Sequence, residues 1–380
     1  MKKVLLITYF PPSVEHAGGL RLLDLYNQLR SIQPDLYISL VTRKVGNCDF
    51  DGLNTIFSEV HFLTEVQFSA RYISSITFQV ANFDLIDLQY HQSGSLIPVI
   101  RNRWPSAQLI FAPMESQVRA LRIAFSQQSS SIWHKLTGIF GLILTAFMEI
   151  IYVKRADKVV AVSDPDRHYL AYFKDTNLVI TLPTCISPKV AEIGFEREGT
   201  TDQLTIVFFA YFGSKTNQEA LRWFVRSVHP LICKVLPEYR LRVVGNGIEP
   251  TLVDRDLHPQ IDVVGSVDST ACALENSAIG ISPAIGGAGI RGKIHQYAAF
   301  GLPCVASPIA CDGLFYIDGE SVLIANTDKD FSEACIGLLK DNYLRNQIGK
   351  KARAVCERKY QWEKWANEIS SVYELNIKSL

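Results

Sequence analysis

Residues 286–307, GGAGIRGKIHQYAAFGLPCVAS, decide how the second half of the chain is read. They follow the apolar run Ala278-Ile279-Gly280-Ile281-Ser282, which has the length and composition of a buried strand. Beyond the glycine-rich loop, Ile290, Ile294, Tyr297 and Ala298 recur at helical spacing. Gly301 ends that helix, because glycine takes the left-handed conformation at little cost. Residues 302–306 form the next strand. Strand, glycine loop, helix and strand make a parallel β-α-β unit whose loop lies at the carboxyl end of a strand. Glycines there open the backbone to a ligand, and the unpaired N–H groups of a helix start attract an anion. Arg291 and Lys293 add positive charge to a first turn that the helix macrodipole already makes positive, which points to a bound phosphate. The alternative is a tight loop that only packs the helix onto the sheet.

A glycine loop, a basic first turn and a helix ending in A-x-G-x-P-x-V resemble the C-terminal domain of nucleotide-sugar glycosyltransferases of the GT-B fold, family 4 in particular. The resemblance implies that the amides of Gly287, Ala288, Gly289 and Ile290 hold the donor diphosphate. It places Gln296 where the family has a glutamate on the donor ribose, and Ala288 where it has an earlier glutamate. The Gln296 amide still offers a hydrogen bond to a hydroxyl, without charge. Arg291 and Lys293 lie roughly 200° apart around a helix, so one of them faces the phosphate. Arg291, nearer the loop, is assigned the catalytic charge, with Lys293 on the donor side.

The composition bounds the rest. At 380 residues the chain exceeds what one hydrophobic core usually holds, so two domains are expected. Lysine plus arginine equal aspartate plus glutamate at 38 each, so no global field favours nucleic acid. Eight cysteines are scattered without a CxxC pair, which argues against a structural zinc site and a secreted disulfide framework. They suit a reduced, cytoplasmic protein. The opening MKKVLLITYFPPS reads as a first strand, since its apolar run is short and ends in Pro-Pro.

In the N-terminal half, apolar runs at residues 4–9, 36–41, 60–63, 83–90, 107–112 and 179–184 alternate with helical stretches, the pattern of a doubly wound α/β domain. After the first run, Gly18 and Gly19 precede a helix with Leu20, Leu23, Leu25 and Leu29. With Arg21 they resemble the family's first glycine loop, which touches donor or acceptor through its backbone. The family often carries a histidine after the fifth strand; this chain has Met114 and Glu115 there. Glu115 fits either a catalytic base or a cap on the following helix. His91, at the end of the fourth strand, is the rival catalytic candidate. Residues 132–155 are strongly apolar with basic flanks, which suits a core helix, a partner surface or an interfacial helix in peripheral contact with a membrane. Residues 156–163 resemble the family's A-D-x-V-x-x-V-S segment, with Ser163 capping the next helix.

Residues 191–203 read as a linker between an acceptor-side domain at 1–190 and a nucleotide-sugar-binding domain at 204–358. Residues 359–380 resemble the final GT-B helix that crosses back to the N-terminal domain. Gly245, in the Gly-Asn-Gly that ends a strand, is expected near the donor. The spacing from Ile206 to Ser307 resembles a subgroup associated with surface-polysaccharide assembly. The fold expected is therefore α/β: two facing Rossmann-like domains with an interdomain cleft. The expected activity is sugar transfer from a nucleotide sugar to a glycan or lipid-linked acceptor, with retention and with neither metal nor cofactor. Two alternatives stay open, a catalytically silent relative that binds a nucleotide sugar or a partner transferase, and a sugar-nucleotide epimerase.

Overall fold

The computed structural model describes residues 1–14, 17–45, 50–126, 132–196, 204–248, 253, 258–286 and 292–375. The chain divides into one unit of Met1–Pro183 with Trp365–Leu380 and a second of Thr184–Lys364.

The first unit is built on β1 (Lys3–Thr8), β2 (Tyr37–Arg43), β3 (Glu59–Leu63), β4 (Leu85–Gln89), β5 (Gln108–Ala112), β6 (Lys158–Ala161) and β7 (Val179–Thr181). They form one parallel sheet in the order β3-β2-β1-β4-β5-β6-β7. Val4, Leu5, Leu6 and Ile7 are all buried, as continuous apolar runs require when helices cover both faces. Strand order reverses between β1 and β4, which places the ligand-accepting crevice of such a sheet at their carboxyl ends.

The centre of this sheet holds a buried polar network. Asp87 on β4 accepts from Tyr26 Oη at 2.8 Å, from Tyr373 Oη at 2.6 Å and from Gln89 Nε2 at 2.9 Å. Tyr26 lies on the helix Ala17–Ile32 and Tyr373 ends the helix Ala366–Tyr373. The last helix is thus fastened to the first unit by one hydroxyl as well as by buried Ile369 and Val372. Arg21, from the glycine-loop motif, is 2% exposed and donates to the Leu182 carbonyl at 3.0 Å, which makes it a tie within the fold. Ser163 caps the helix Asp164–Leu170 by accepting from the Asp166 amide.

The second unit carries β8 (Thr205–Phe209), β9 (Arg240–Val244), β10 (Ile261–Gly265), β11 (Ile279–Ser282), β12 (Cys304–Ala306) and β13 (Leu323–Ile324). Its parallel sheet runs β10-β9-β8-β11-β12-β13 and reverses between β8 and β11. The sequence reading missed β13, whose two residues form an edge too short for a periodic signal. Gly301 takes φ +67° after the helix Gly292–Ala299, the left-handed stop expected there.

The expected linker needs correction. Pro188–Glu196 is a helix of the second unit, and Gly194 lies so close to the helix Gly292–Ala299 that a Cβ would come within 3.1 Å of Ala299. Residues 197–203 lie outside the described residues. The change of unit falls at Pro183/Thr184, and the return at Lys364/Trp365.

Candidate active site

In the second unit the loops after β8, β9 and β10 are joined by their backbones. Ala210 N donates to Val244 O at 3.0 Å, Phe212 N to Asn246 O at 2.7 Å, and Gly245 N to Gly265 O at 2.7 Å. Gly245 holds φ +137°, and a Cβ there would lie 1.7 Å from the Ala210 carbonyl oxygen, so only glycine fits. Asn217 Nδ2 and Gln218 Nε2, from the start of the helix Lys215–Trp223, donate to the carbonyls of Tyr211 and Phe212. This fixes the rim of the sheet on one side of the β8/β11 reversal.

On the other side stands the helix Gly292–Ala299. Gly280 on β11 leaves room for the ring of Tyr297, since a Cβ there would meet the ring at 2.5 Å. The Tyr297 hydroxyl accepts from Phe209 N–H at 2.9 Å and donates to Ile281 O at 3.2 Å, which locks the helix to the ends of β8 and β11. From this helix Lys293 extends its Nζ to Asn217 Oδ1 at 2.9 Å and lies 5.0 Å from the ring centroid of Phe208. The ammonium therefore spans the strand-order reversal between two helix starts, neither of which has an acidic residue in its first turn. Positive charge gathered at two positive dipole ends is a ready anion site. Gln296 is half-buried on the same helix. Ser282, at the end of β11, keeps its buried Oγ without a partner among the described residues, and the sequence reading did not single it out. Gly287, Ala288, Gly289, Ile290 and Arg291 lie outside the described residues.

His295 has a different character. It is buried, stacked on Tyr360 at 3.7 Å with Nδ1 3.1 Å from Tyr316 Oη, and burial pushes its pKa down to about 3. It is a neutral core histidine.

In the first unit, Tyr90 after β4 and Met114 after β5 take φ +70° and +72°. Non-glycine residues in the left-handed region are strained and gather at functional edges. His91 opens a short turn, His91–Leu96; it is half-buried, burial lowers its pKa, and Nδ1 has no partner among the described residues. Gly18 and Gly19 lie in the first turn of the helix Ala17–Ile32. A Cβ on Gly19 would come within 2.7 Å of the Ser13 carbonyl oxygen, and one on Gly18 within 2.2 Å of Tyr90 Oη. Both glycines are explained by close packing beneath the loop.

Glu115 is half-buried beside Met114. The capping place open to it in the sequence reading is filled otherwise, because the helix Gln117–Ser126 begins one residue further on. Ser116 Oγ accepts from Arg119 N–H at 3.2 Å. Glu149, fully buried, accepts from Ser116 Oγ at 3.0 Å, Gln117 N at 3.0 Å and Val118 N at 3.1 Å. Burial raises its pKa to about 7 against the pull of those donors. Glu149 thereby holds the loop that carries Met114 and Glu115. The sequence signal for it was a single carboxylate inside an apolar stretch.

Among the described residues no helix is long and apolar enough to cross a membrane. The helix Ile132–Arg155 instead exposes Phe140, Ile143, Leu144 and Phe147, spaced to form one face, at 70%, 46%, 54% and 58%.

Residues 203–341, which contain the β8/β11 reversal, match the family model described as glycosyl transferases group 1. The chain is 29% identical over 152 residues to a phosphatidyl-myo-inositol mannosyltransferase of Mycobacterium leprae, an alignment covering 38% of this chain and 40% of that protein. It is 22% identical over 282 residues to an uncharacterized glycosyltransferase of Methanocaldococcus jannaschii, covering 72% and 69% of the two chains. A crystal structure of Anabaena HepE in complex with UDP and glucose superposes with a TM-score of 0.70 at 12% identity, covering 98% of this chain and 100% of that one. The fold is GT-B, with two Rossmann-like domains.

Proposed function

We propose that this protein is a glycosyltransferase that moves a sugar from a nucleotide-sugar donor to a glycan or lipid-linked acceptor in surface-polysaccharide or glycoconjugate assembly. The carrying observation is Lys293, set between two helix starts at the strand-order reversal of the segment that matches glycosyl transferases group 1. A UDP-containing neighbour of the same fold supports a nucleotide-sugar donor. In this reading the amides of residues 287–290 and the Arg291 guanidinium stabilise the departing diphosphate, with Lys293 beside them. Gln296 hydrogen-bonds the donor ribose, and Gly245 keeps the rim open to the base. Acceptor activation falls to Glu115 or His91 in the first unit. Transfer proceeds with retention and without metal or cofactor, so a chelator leaves turnover unchanged.

The reading extends to a cytoplasmic protein held peripherally at the membrane by the exposed face of the helix Ile132–Arg155. Residues 120–155 carry Arg122, Lys135, Lys154 and Arg155 against the single, buried Glu149, a balance suited to anionic lipid.

Thermal unfolding with UDP-, GDP-, ADP- and dTDP-sugars and their free nucleotides tests the donor. One nucleotide is expected to raise the midpoint, by about 2.7 kcal/mol of stabilisation at a hundredfold excess over its dissociation constant. Arg291→Ala is expected to lower turnover sharply while the fold stays intact. Gln296, uncharged where the family has a glutamate, favours the second reading, a silent relative that binds the nucleotide sugar. Nucleotide binding with neither transfer nor donor hydrolysis would establish it.

A further inference from the structure

The helix Gly292–Ala299, which carries Lys293 and Gln296, is short, so its orientation is set by what grips it. On the sheet side the grip is Tyr297, whose hydroxyl bridges Phe209 and Ile281. A second grip lies behind the helix. His295 follows Lys293 by two residues, so the two side chains leave the axis roughly 200° apart. The buried His295 ring has its centroid 3.7 Å from that of Tyr360 at an interplanar angle of 30°, and Tyr316 completes the stack at 5.5 Å from Tyr360. Tyr316 Oη sits 3.1 Å from His295 Nδ1, which adds a directional bond to the stacked planes.

Tyr360 is itself rooted in separate segments of the second unit. Its hydroxyl accepts from Phe315 N–H at 2.8 Å, its carbonyl accepts from Ile186 N–H at 2.9 Å, and its own N–H donates to the Cys356 carbonyl at 2.8 Å. Cys356 Sγ donates in turn to the His295 carbonyl at 3.5 Å. A Cβ on Gly349 would clash with the Gly301 carbonyl, so the helix Asn342–Lys359 also bears on the chain just beyond Ala299. Apolar packing fixes a distance, whereas stacked aromatic planes with a hydrogen bond fix an angle as well. His295 is neutral, its pKa pushed down to about 3 by burial, and it faces away from the ammonium, so it acts only through the helix it belongs to.

We propose that His295 and Tyr360 are positioning residues for Lys293: their stacked rings fix the rotation of the helix about its axis and so hold the ammonium where the donor diphosphate binds. A side-chain tip stands roughly 5–6 Å from a helix axis, so a turn of about 20° moves it by about 2 Å. A misplacement of about 1 Å is enough to cost on the order of a hundredfold in rate. Tyr297 alone would leave the helix a pivot, and an anchor on the far side removes it. This rests on the nucleotide-sugar reading above and names the groups that aim its cation.

A double-mutant cycle on the full chain, read by calorimetry, tests the role. The ligands are UDP, GDP, ADP, dTDP and inorganic pyrophosphate. Tyr360→Leu is expected to weaken the nucleotide that binds wild type by about tenfold, as Lys293→Met does, through loss of a charge-assisted contact. In the Lys293→Met background the same change should cost about twofold at most. Tyr360→Phe keeps the ring and should restore most of the affinity. Tyr316→Phe removes only the hydroxyl beside His295 Nδ1 and should weaken binding by about threefold; it carries the cycle if circular dichroism shows Tyr360→Leu unfolded. Unchanged affinity in the folded variants, or losses that simply add in the double variant, would overturn the positioning role and leave the donor reading standing. A wild type that binds pyrophosphate but no nucleotide, with the coupling intact, would overturn the donor reading alone. Binding of neither would overturn both.

Discussion

The Tyr373 hydroxyl donates to the Asp87 carboxylate at 2.6 Å, joining residues 286 positions apart in the sequence. Both are fully buried or nearly so, and burial pushes the Asp87 carboxyl up while Tyr373, Gln89 and Tyr26 pull it down. This bond ties the last helix to the middle of the first sheet.

Removing one donor from a buried carboxylate leaves it under-satisfied, at a cost of about 1–3 kcal/mol. Tyr373→Phe is therefore expected to destabilise the first unit by that amount, read as a lower midpoint in urea with an unchanged slope. An unchanged midpoint would mean that the C-terminal helix is held by its apolar packing and by the bonds of Lys158 to the Ser371 and Val372 carbonyls, without need of this hydroxyl.

Glu149 predicts a pH dependence of stability. Its pKa rises from 4.5 to about 7 on folding, so between those values the folded chain binds the proton that the unfolded chain has released. The folded state then holds more protons, and this group's contribution to stability falls as pH rises through the window. At about 1.4 kcal/mol per unit the effect is on the order of 3 kcal/mol. Glu149→Gln is expected to flatten the slope of the thermal midpoint over that range; a slope equal to wild type would assign the dependence to other groups.

Lys293→Met keeps the length of the side chain and removes its charge. If the ammonium meets a diphosphate, nucleotide affinity should drop by about tenfold or more, as for loss of a charge-assisted hydrogen bond. Calorimetry with the nucleotide that stabilises the wild type reads this directly. Unaltered affinity would confine Lys293 to its bond with Asn217.

Gly245→Ala should be severe. Its φ of +137° costs a side-chain-bearing residue about 1–3 kcal/mol, and the added Cβ would meet the Ala210 carbonyl at 1.7 Å. Gly337→Ala, in the helix Asp328–Lys340 where a Cβ meets nothing within 4 Å, should instead stabilise by about 0.5–1 kcal/mol. Comparable midpoints for the two variants would refute the packing argument.

Phe147→Glu places a carboxylate on the exposed face of the helix Ile132–Arg155. Flotation with anionic phosphatidylserine vesicles should show wild type bound and the variant largely free, while neutral vesicles bind neither strongly. Equal recovery of both proteins with the anionic vesicles would exclude this face as the contact.

Much of the architecture was legible because parallel strands buried on both faces must be continuous apolar runs, and the runs at residues 4–9, 36–41, 60–63, 83–90, 107–112, 179–184, 278–282 and 302–306 mark β1 to β5, β7, β11 and β12. Helix stops at Gly301 and the cap at Ser163 were legible for the same local reason: their conformations depend on a single residue type. The roles of Gly18, Gly19 and Arg21 were less so. In sequence they form a ligand-like motif, whereas their contacts with Tyr90, Ser13 and Leu182 come from elsewhere in the chain. Gly245 shows the same ambiguity, as its nearest obstacle is the carbonyl of Ala210 on a neighbouring loop.

By itself the sequence determined the α/β class and the parallel sheets, and put Lys293 in the first turn of the helix Gly292–Ala299, because apolar periodicity and helix-end chemistry are local. Only the tertiary structure decided that Lys293 spans to Asn217, that Glu149 rather than Glu115 secures the start of Gln117–Ser126, and that Tyr9, Arg43 and Tyr90 share one edge. Those relationships depend on strand order, which reverses at β1/β4 and at β8/β11, and strand order is a product of long-range packing that no local pattern encodes.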